Sequence, residues 1–86
     1  MELTFDDRAA GLMRDKGYRE EDIAEVIAYA ESAAKLVQPD SGECLGRKRL
    51  GQVTVNVRYR CLEGPDRFLV TGIYQHRALL DEDGEG

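Results

Sequence analysis

The segment QVTVNVRYRCL, residues 52–62, decides the fold of this chain because its apolar and polar side chains alternate along its length. Successive side chains of a β-strand point to opposite faces of a sheet, so this alternation is typical of a strand with one buried face. The predicted core side carries Val53, Val55, Val57, Tyr59 and Cys61, and the predicted solvent side carries Thr54, Asn56, Arg58 and Arg60. The segment therefore predicts a long strand that separates a core from an exposed polar surface.

Two further strands are predicted, one on each side of this segment. The tetrapeptide EGPD at 63–66 is typical of a turn, so we expect residues 67–77 to return as the second strand of a hairpin. Residues 43–50 predict an edge strand, since charged side chains such as those of Arg47 and Arg49 discourage pairing with other molecules.

The last predicted strand has apolar side chains on both of its faces. Phe68, Val70 and Tyr74 fall on one face, and Leu69 and Ile73 fall on the other. We therefore expect its second face to be partly covered. A shift of one residue in the register of this strand would exchange the two sets.

Two helices are predicted before the strands. Thr4 is a favourable N-cap and Gly17 a favourable C-cap for a first helix over residues 5–16. A second helix is predicted over residues 20–37, and Pro39 follows it as a stop signal. The predicted buried stripe of this second helix comprises Ile23, Val26, Ile27, Ala30, Ala34 and Val37.

Together these elements predict an α+β fold in which two N-terminal helices pack on a three-stranded antiparallel sheet, in the order ααβββ. A chain of 86 residues is long enough for one core, so residues 1–80 are predicted to form a single domain. Residues 81–86 are acidic and show no periodicity, which predicts a disordered tail.

Cysteine content and hydropathy indicate the compartment. Cys44 and Cys61 form no C-x-x-C pair, and secreted disulfide scaffolds of this size carry more cysteines, so we expect both to be reduced. A disulfide between neighbouring strands is the alternative. No apolar run approaches the roughly 20 residues that span a bilayer, and no leader peptide is recognisable. The chain is predicted to be cytoplasmic, with no membrane span.

Charge is distributed unevenly along the chain, whose net charge is −5. Residues 1–40 hold ten acids and five bases, residues 41–77 three acids and seven bases, and residues 78–86 four acids. The basic middle block predicts a binding face on the sheet that comprises Arg47, Arg49, Arg58, Arg60, Tyr74, His76 and Arg77. Paired guanidinium groups can hold phosphate or carboxylate there, although a charge run of this kind also serves simply as a solvated surface.

The order of the predicted elements resembles that of the RelE and BrnT type toxins, over about residues 5–77. The resemblance is carried by MRDKGYREEDI at 13–23, the valine strand at 53–57, and VTGIY at 70–74 followed by His76 and Arg77. It implies a concave sheet face, on which the toxins that cut mRNA place basic residues and a tyrosine or histidine. Those toxins are strongly basic, whereas this chain is acidic.

Complete catalytic, metal or cofactor sites are not predicted. His76 is the single histidine, so RNA cleavage would need His76 or Tyr74 beside arginines that stabilise the transition state. Cys44, Cys61 and His76 could offer metal ligands, but their spacing matches no zinc motif. The glycines form no nucleotide-binding pattern, and no cofactor is predicted.

The predicted function is that of a small non-enzymatic interaction module that binds a partner protein or an acidic ligand through the basic face of its sheet. Two alternatives stay open, an RNase toxin of the RelE and BrnT type and a nucleic-acid binder without catalysis. The net charge of −5 disfavours nucleic acid, because long-range repulsion opposes its approach. Partner identity and oligomeric state are left open.

Overall fold

The computed structural model describes residues 1–33 and 35–77, the last two of them, His76 and Arg77, by their backbone. In chain order the elements are β1 (Glu2–Phe5), α1 (Asp7–Lys16), α2 (Glu20–Ser32), β2 (Leu36–Val37), β3 (Cys44–Leu50), β4 (Val53–Cys61) and β5 (Arg67–Arg77). Neither α1 nor α2, the helices of the described ranges, is long and apolar enough to cross a bilayer.

The strands form one sheet in the order β1-β5-β4-β3-β2. The prediction of a three-stranded antiparallel sheet is wrong, because the described part of the chain forms a five-stranded mixed sheet. β3, β4 and β5 lie where predicted and pair antiparallel, but β1 adds to β5 in parallel and β2 adds to β3. β1 has four residues and β2 has two, too few for a clear alternating pattern. β1 pairs with β5, which is far from it in the sequence, so no hairpin turn connects the two strands and indicates their pairing.

Strand β1 moves the start of the first helix. Helix α1 begins at Asp7 and not at residue 5, because Leu3 and Phe5 belong to the sheet. Its N-cap is Asp6, whose Oδ1 accepts a hydrogen bond from the Ala9 backbone N–H at 2.8 Å. The end of α1 is as predicted, with Gly17 in the left-handed conformation at φ 74°.

Helix α2 ends at Ser32, five residues before the predicted end at residue 37. The predicted stripe is buried at Ile23, Val26, Ile27 and Ala30. Val37 lies exposed in β2, and Ala34 falls outside the described residues. The Ser32 hydroxyl donates to the Tyr29 carbonyl at 3.3 Å, and the Ala33 backbone N–H donates to the same carbonyl at 2.8 Å where the helix ends. Beyond it, residues 36 and 37 pair with β3 instead of extending the helix.

Both helices cover the same side of the sheet, and the core lies between the helices and the sheet. Helix α2 crosses β3 at Gly46, where an added Cβ would meet the Ala30 Cβ at 2.8 Å. The ring of Tyr59 packs edge to face on Phe68, with centroids 5.6 Å apart. The buried core comprises Ala9, Ile23, Val26, Ile27, Ala30, Cys44, Val55, Val57, Tyr59, Phe68, Val70 and Ile73.

A β-bulge in β5 decides which of its side chains face the core. Arg58 pairs with Gly72 while its neighbour Tyr59 pairs with Val70, so Thr71 is an extra residue on β5. The bulge reverses the alternation, and Ile73 joins Val70 in the core with 2% of its surface exposed. The predicted grouping of Ile73 with Leu69, and of Tyr74 with Val70, is therefore wrong. The predicted cover over the second face of β5 is not needed for Ile73, because this side chain is already buried under the helices.

Candidate functional site

The side of the sheet that the helices leave uncovered is called the open face here. On β3 and β4 it follows the predicted alternation, since Arg47 pairs with Asn56 and Arg49 pairs with Thr54. Tyr74 pairs with Asn56 from the other side and is 42% exposed. The open face comprises Leu45, Arg47 and Arg49 on β3, Thr54, Asn56, Arg58 and Arg60 on β4, and Leu69 and Tyr74 on β5.

Arg58 is held within the open face by two neighbours. Its Nε lies 3.6 Å from Glu43 Oε1, and its guanidinium carbon lies 5.4 Å from the centroid of the Tyr74 ring. The Thr71 hydroxyl, from the bulge, donates to Glu43 Oε2 at 2.6 Å. The Tyr74 ring lies over Gly72, where an added Cβ would meet the phenol oxygen at 3.1 Å. The charge of Arg58 is therefore partly neutralised, and its side chain is positioned by the protein itself.

Arg47 and Arg49 contact neutral oxygens only, among the residues that the structure describes. Arg47 Nε donates to Asn56 Oδ1 at 2.8 Å, and Arg49 Nε donates to the Gly51 carbonyl at 3.1 Å. Among the residues with described side chains, neither guanidinium forms an ion pair, whereas Lys48 between them pairs with Glu25 of α2. Both arginines are exposed, so their charges are available to a ligand.

Both arginines lie on a strand edge that is partly open. Residues 43–50 were predicted to be an edge strand, but β2 pairs with Cys44 and Leu45. From Gly46 to Leu50 the outer side of β3 has no partner strand within the described ranges. We call this stretch the free edge.

Two grooves with volumes of about 390 and 280 Å³ follow the free edge, and Tyr29 of α2 lines both. Arg47, Lys48, Arg49 and Thr54 complete the first groove, and Lys35, Leu36, Leu45 and Arg47 complete the second. Tyr29 is 44% and Leu36 68% exposed. The free edge thus has backbone groups without a partner strand on its outer side and three cations, Arg47, Lys48 and Arg49. The two grooves beside it add the exposed apolar side chains of Tyr29 and Leu36.

The remaining predicted site residues lie farther away. Arg60 pairs with Leu69 at one end of β4, and the register pairs His76 with Thr54 and Arg77 with Val53 at the other. Arg60 therefore lies at one end of β4, and Arg77, on β5, pairs with the residue at the opposite end. Tyr29 and Leu36 were not predicted as site residues, because a helix over residues 20–37 would contain both of them and would not place them beside β3.

A second cluster lies under α2, near its C-terminal end. The Tyr59 hydroxyl donates to Glu31 Oε2 at 2.7 Å, and Lys35 Nζ lies 3.1 and 3.0 Å from the two Glu31 oxygens. The sulfurs of Cys44 and Cys61 and a carboxylate oxygen of Glu31 all lie within 4.8 Å of one another. Both cysteines are free thiols. Glu31 could not be assigned to a site from the sequence, because its position depends on where α2 crosses β3.

These contacts shift the proton affinities of the cluster. Burial tends to raise the pKa of Glu31, but the hydrogen bonds from Tyr59 and Lys35 outweigh it and lower the pKa. The pKa of Tyr59 is raised far above its usual value, first by burial and then by the same bond to Glu31. Burial also raises the pKa of the Cys44 thiol, against the opposing effect of Lys35. At neutral pH the ionised form of Glu31 is therefore favoured and the phenol stays protonated.

Comparison with known proteins finds no family model that matches the chain, no similar curated protein and no similar solved structure. The resemblance to the RelE and BrnT type toxins and the cytoplasmic location therefore stay predictions. Any function for this chain must be argued from its own residues.

Proposed function

We propose that this protein is a non-enzymatic interaction module that binds an acidic, extended segment of a partner protein along the free edge of β3. One observation carries the proposal. Gly46–Leu50 pairs with β4 on one side, has no partner strand on its outer side within the described ranges, and bears Arg47 and Arg49, two cations without a carboxylate partner there. An extended segment adds to such an edge through main-chain hydrogen bonds, and its side chains provide the specificity.

The two sides of the free edge favour different side chains on the added strand. Arg47 and Arg49 lie on the open face, so every second residue of the bound segment should be acidic. Tyr29 and the stem of Lys48 lie on the helix side. The other residues of the bound segment, those between the acidic ones, would contact this apolar surface. An alternation of acidic and apolar residues is therefore the pattern that fits best.

Two observations favour a protein segment over RNA. Arg58, which an RNA-cleaving site would use beside Tyr74, already contacts Glu43, and Arg77 pairs in register with Val53 away from both. The net charge of −5 also opposes the approach of a polyanion, whereas a short acidic peptide needs only the local field of two or three cations.

The test uses a fluorescein-labelled peptide in which glutamate alternates with valine, titrated with the full chain by fluorescence anisotropy. We expect binding that weakens as salt rises, because the charges involved are exposed. The Arg47→Ala, Arg49→Ala double variant should bind about tenfold more weakly, since exposed ion pairs contribute up to ~1 kcal/mol each. Arg60→Ala is the matched control, because Arg60 is an exposed arginine of the open face off the free edge, and it should leave the affinity unchanged.

Two peptide controls and one competitor sharpen the test. A peptide with lysine in place of glutamate should not bind, and a peptide of the same composition with its glutamates in one block should bind more weakly. Backbone amide shifts on binding should concentrate in Gly46–Leu50. Equal loss in the Arg60→Ala variant, or displacement of the peptide by single-stranded RNA at lower concentration, would contradict the proposal. In the absence of any binding, the edge cations would serve only to discourage strand pairing.

A further inference from the structure

The cluster under α2 brings together three side chains, one from each of three elements. The proposed function uses none of these side chains. Glu31 comes from the last turn of α2, Cys44 from the first position of β3 and Cys61 from the last position of β4. Their three ligand atoms lie within 4.8 Å of one another. His76, a candidate ligand together with the two cysteines on sequence grounds, pairs with Thr54 at the other end of β4.

The atom types and their spacing suit a thiophilic cation. Two thiolates and a carboxylate are ligands that zinc accepts, and three protein ligands with water in the fourth position form a common open zinc site. With Zn–S bonds of ~2.3 Å, tetrahedral geometry needs sulfurs roughly 3.8 Å apart. The 4.8 Å limit of the cluster is wider than this by an amount that small side-chain rotations can close.

The neighbouring groups suit the same purpose. The Tyr59 hydroxyl holds one Glu31 oxygen at 2.7 Å, as the outer hydrogen bond of a metal-bound carboxylate does. A cation already lies beside the cluster, since the Lys35 ammonium contacts both Glu31 oxygens. Lys35 is a flexible, partly exposed side chain, so its ammonium can leave for solvent when a metal ion takes its place.

A direct disulfide is a poorer use of the two cysteines. Cys44 pairs with Tyr59, so Cys61 is its diagonal neighbour and not its direct partner across the strands. Diagonal neighbours lie ~7–8 Å apart at Cα, whereas most disulfides join Cα atoms less than ~6.8 Å apart. A metal ion bridges the longer separation without moving either strand.

We propose that Glu31, Cys44 and Cys61 form a binding site for a thiophilic divalent cation such as zinc, with the fourth position open to water. On binding, each thiol loses its proton to solvent as its sulfur–metal bond forms, and no group is oxidised or reduced. The three ligands are not residues of the free edge, since they lie on the helix-covered side near the other end of β3, and Lys35 both contacts the cluster and lines the second groove.

The test titrates Co²⁺ into the reduced, metal-free full chain and follows the thiolate-to-cobalt charge-transfer band. The band should saturate at one ion per chain, and Zn²⁺ should abolish it by displacing the cobalt. Cys61→Ser should halve the band, and because Cys61 is exposed, this variant should fold. Glu31→Gln should keep the band but weaken binding about tenfold or more. Glu25→Gln, on the same helix and paired with Lys48, is the control that should change nothing.

Two further measurements make the outcome decisive. Zinc should raise the melting temperature of the wild type by more than that of Cys61→Ser, because the variant keeps one thiolate fewer and its folded state binds the ion more weakly. Lys35→Gln should strengthen binding, because the ammonium no longer competes for the Glu31 carboxylate. The proposal is overturned by an absent band at excess Co²⁺, by an undiminished band in Cys61→Ser, or by one ion shared between two chains.

Discussion

The two faces of the sheet are built from the same three long strands but differ in how completely their charged side chains are paired. On the helix-covered face the described charges have charged partners, Lys48 with Glu25 and Lys35 with Glu31. On the open face Arg58 has a charged partner in Glu43, but among the residues with described side chains Arg47 and Arg49 contact neutral oxygens only. The covered face therefore uses its charges for packing, and the open face keeps two of them for a ligand. Substitutions on the covered face should cost stability, and those on the open face should cost binding.

The largest expected effect breaks the covered face directly. Val26→Asp places a carboxylate at a site with 0% exposure among apolar neighbours, and the cost of several kcal/mol is comparable with the whole stability of a small domain. We expect a chain that is unfolded by circular dichroism at room temperature. Ala28→Asp, on the exposed side of the same helix, should cost less than ~1 kcal/mol. Similar melting curves for the two variants would mean that α2 does not bury the face described.

A second substitution tests how closely the helix approaches the sheet. Gly46→Ala introduces a Cβ only 2.8 Å from the Ala30 Cβ, so helix and strand must separate, at a cost of about 2 kcal/mol. Gly11→Ala is the matched control, because nothing lies within 4 Å of its added Cβ. It should stabilise α1 by ~0.5–1 kcal/mol, since alanine favours helix over glycine. Urea denaturation of both variants measures the difference, and a neutral Gly46→Ala would contradict the close crossing.

The bond between Tyr59 and Glu31 makes stability depend on pH. Because the pKa of Glu31 is lowered in the folded state, its contribution is fully present above the usual value of 4.5 and is lost as pH falls through the folded pKa. Tyr59→Phe removes a hydrogen bond to this carboxylate and should cost about 1.5 kcal/mol at neutral pH. The gap between variant and wild type should close as pH falls below 4.5.

Denaturation midpoints from pH 7 down to the acid limit of folding measure this gap, with Tyr29→Phe as the control. Tyr29 is an exposed tyrosine of α2, the helix that carries Glu31, so removing its hydroxyl should shift no midpoint at any pH. A gap between Tyr59→Phe and wild type that stays constant on acidification would show that the ionised form of Glu31 is not the acceptor.

Much of the fold could be predicted because strand β4 alternates without interruption. Val53–Cys61 alternates as predicted and Arg47 and Arg49 fall beside it, but Asn56 on the predicted solvent side is buried and Cys61 on the predicted core side is exposed. The alternation fails in β5, because Thr71 adds one residue and reverses the faces beyond it. Gly72, beside the extra residue, is a local sign of this bulge, since an isolated glycine within a strand often marks one, but it does not show which residue is added or which faces are exchanged. The same holds for β1, which is strand and not helix only because β5 offers it an edge.

The candidate sites were less predictable than the fold, since both depend on where α2 ends. With a helix to residue 37, Leu36 and Tyr29 would lie on one helix surface and β3 would have no partner outside it. The end at Ser32 lets β2 cover Leu45 and leaves the rest of β3 open. Likewise, Cys44 and Cys61 could be placed on neighbouring strands from their sequence, but Glu31 meets them only because α2 crosses at Gly46.

The smallest expected effect separates the predicted helix start from the observed one. Asp6→Ala removes the oxygen that accepts the Ala9 N–H bond and should cost about 1 kcal/mol, the usual contribution of an N-cap. Thr4→Ala should cost less, because Thr4 is exposed on β1 and caps no helix. Had α1 begun at residue 5, the order would be reversed, since Thr4 would be the cap. Urea midpoints for the two variants therefore test whether the first residues extend the covered face as a strand or begin the helix that covers it.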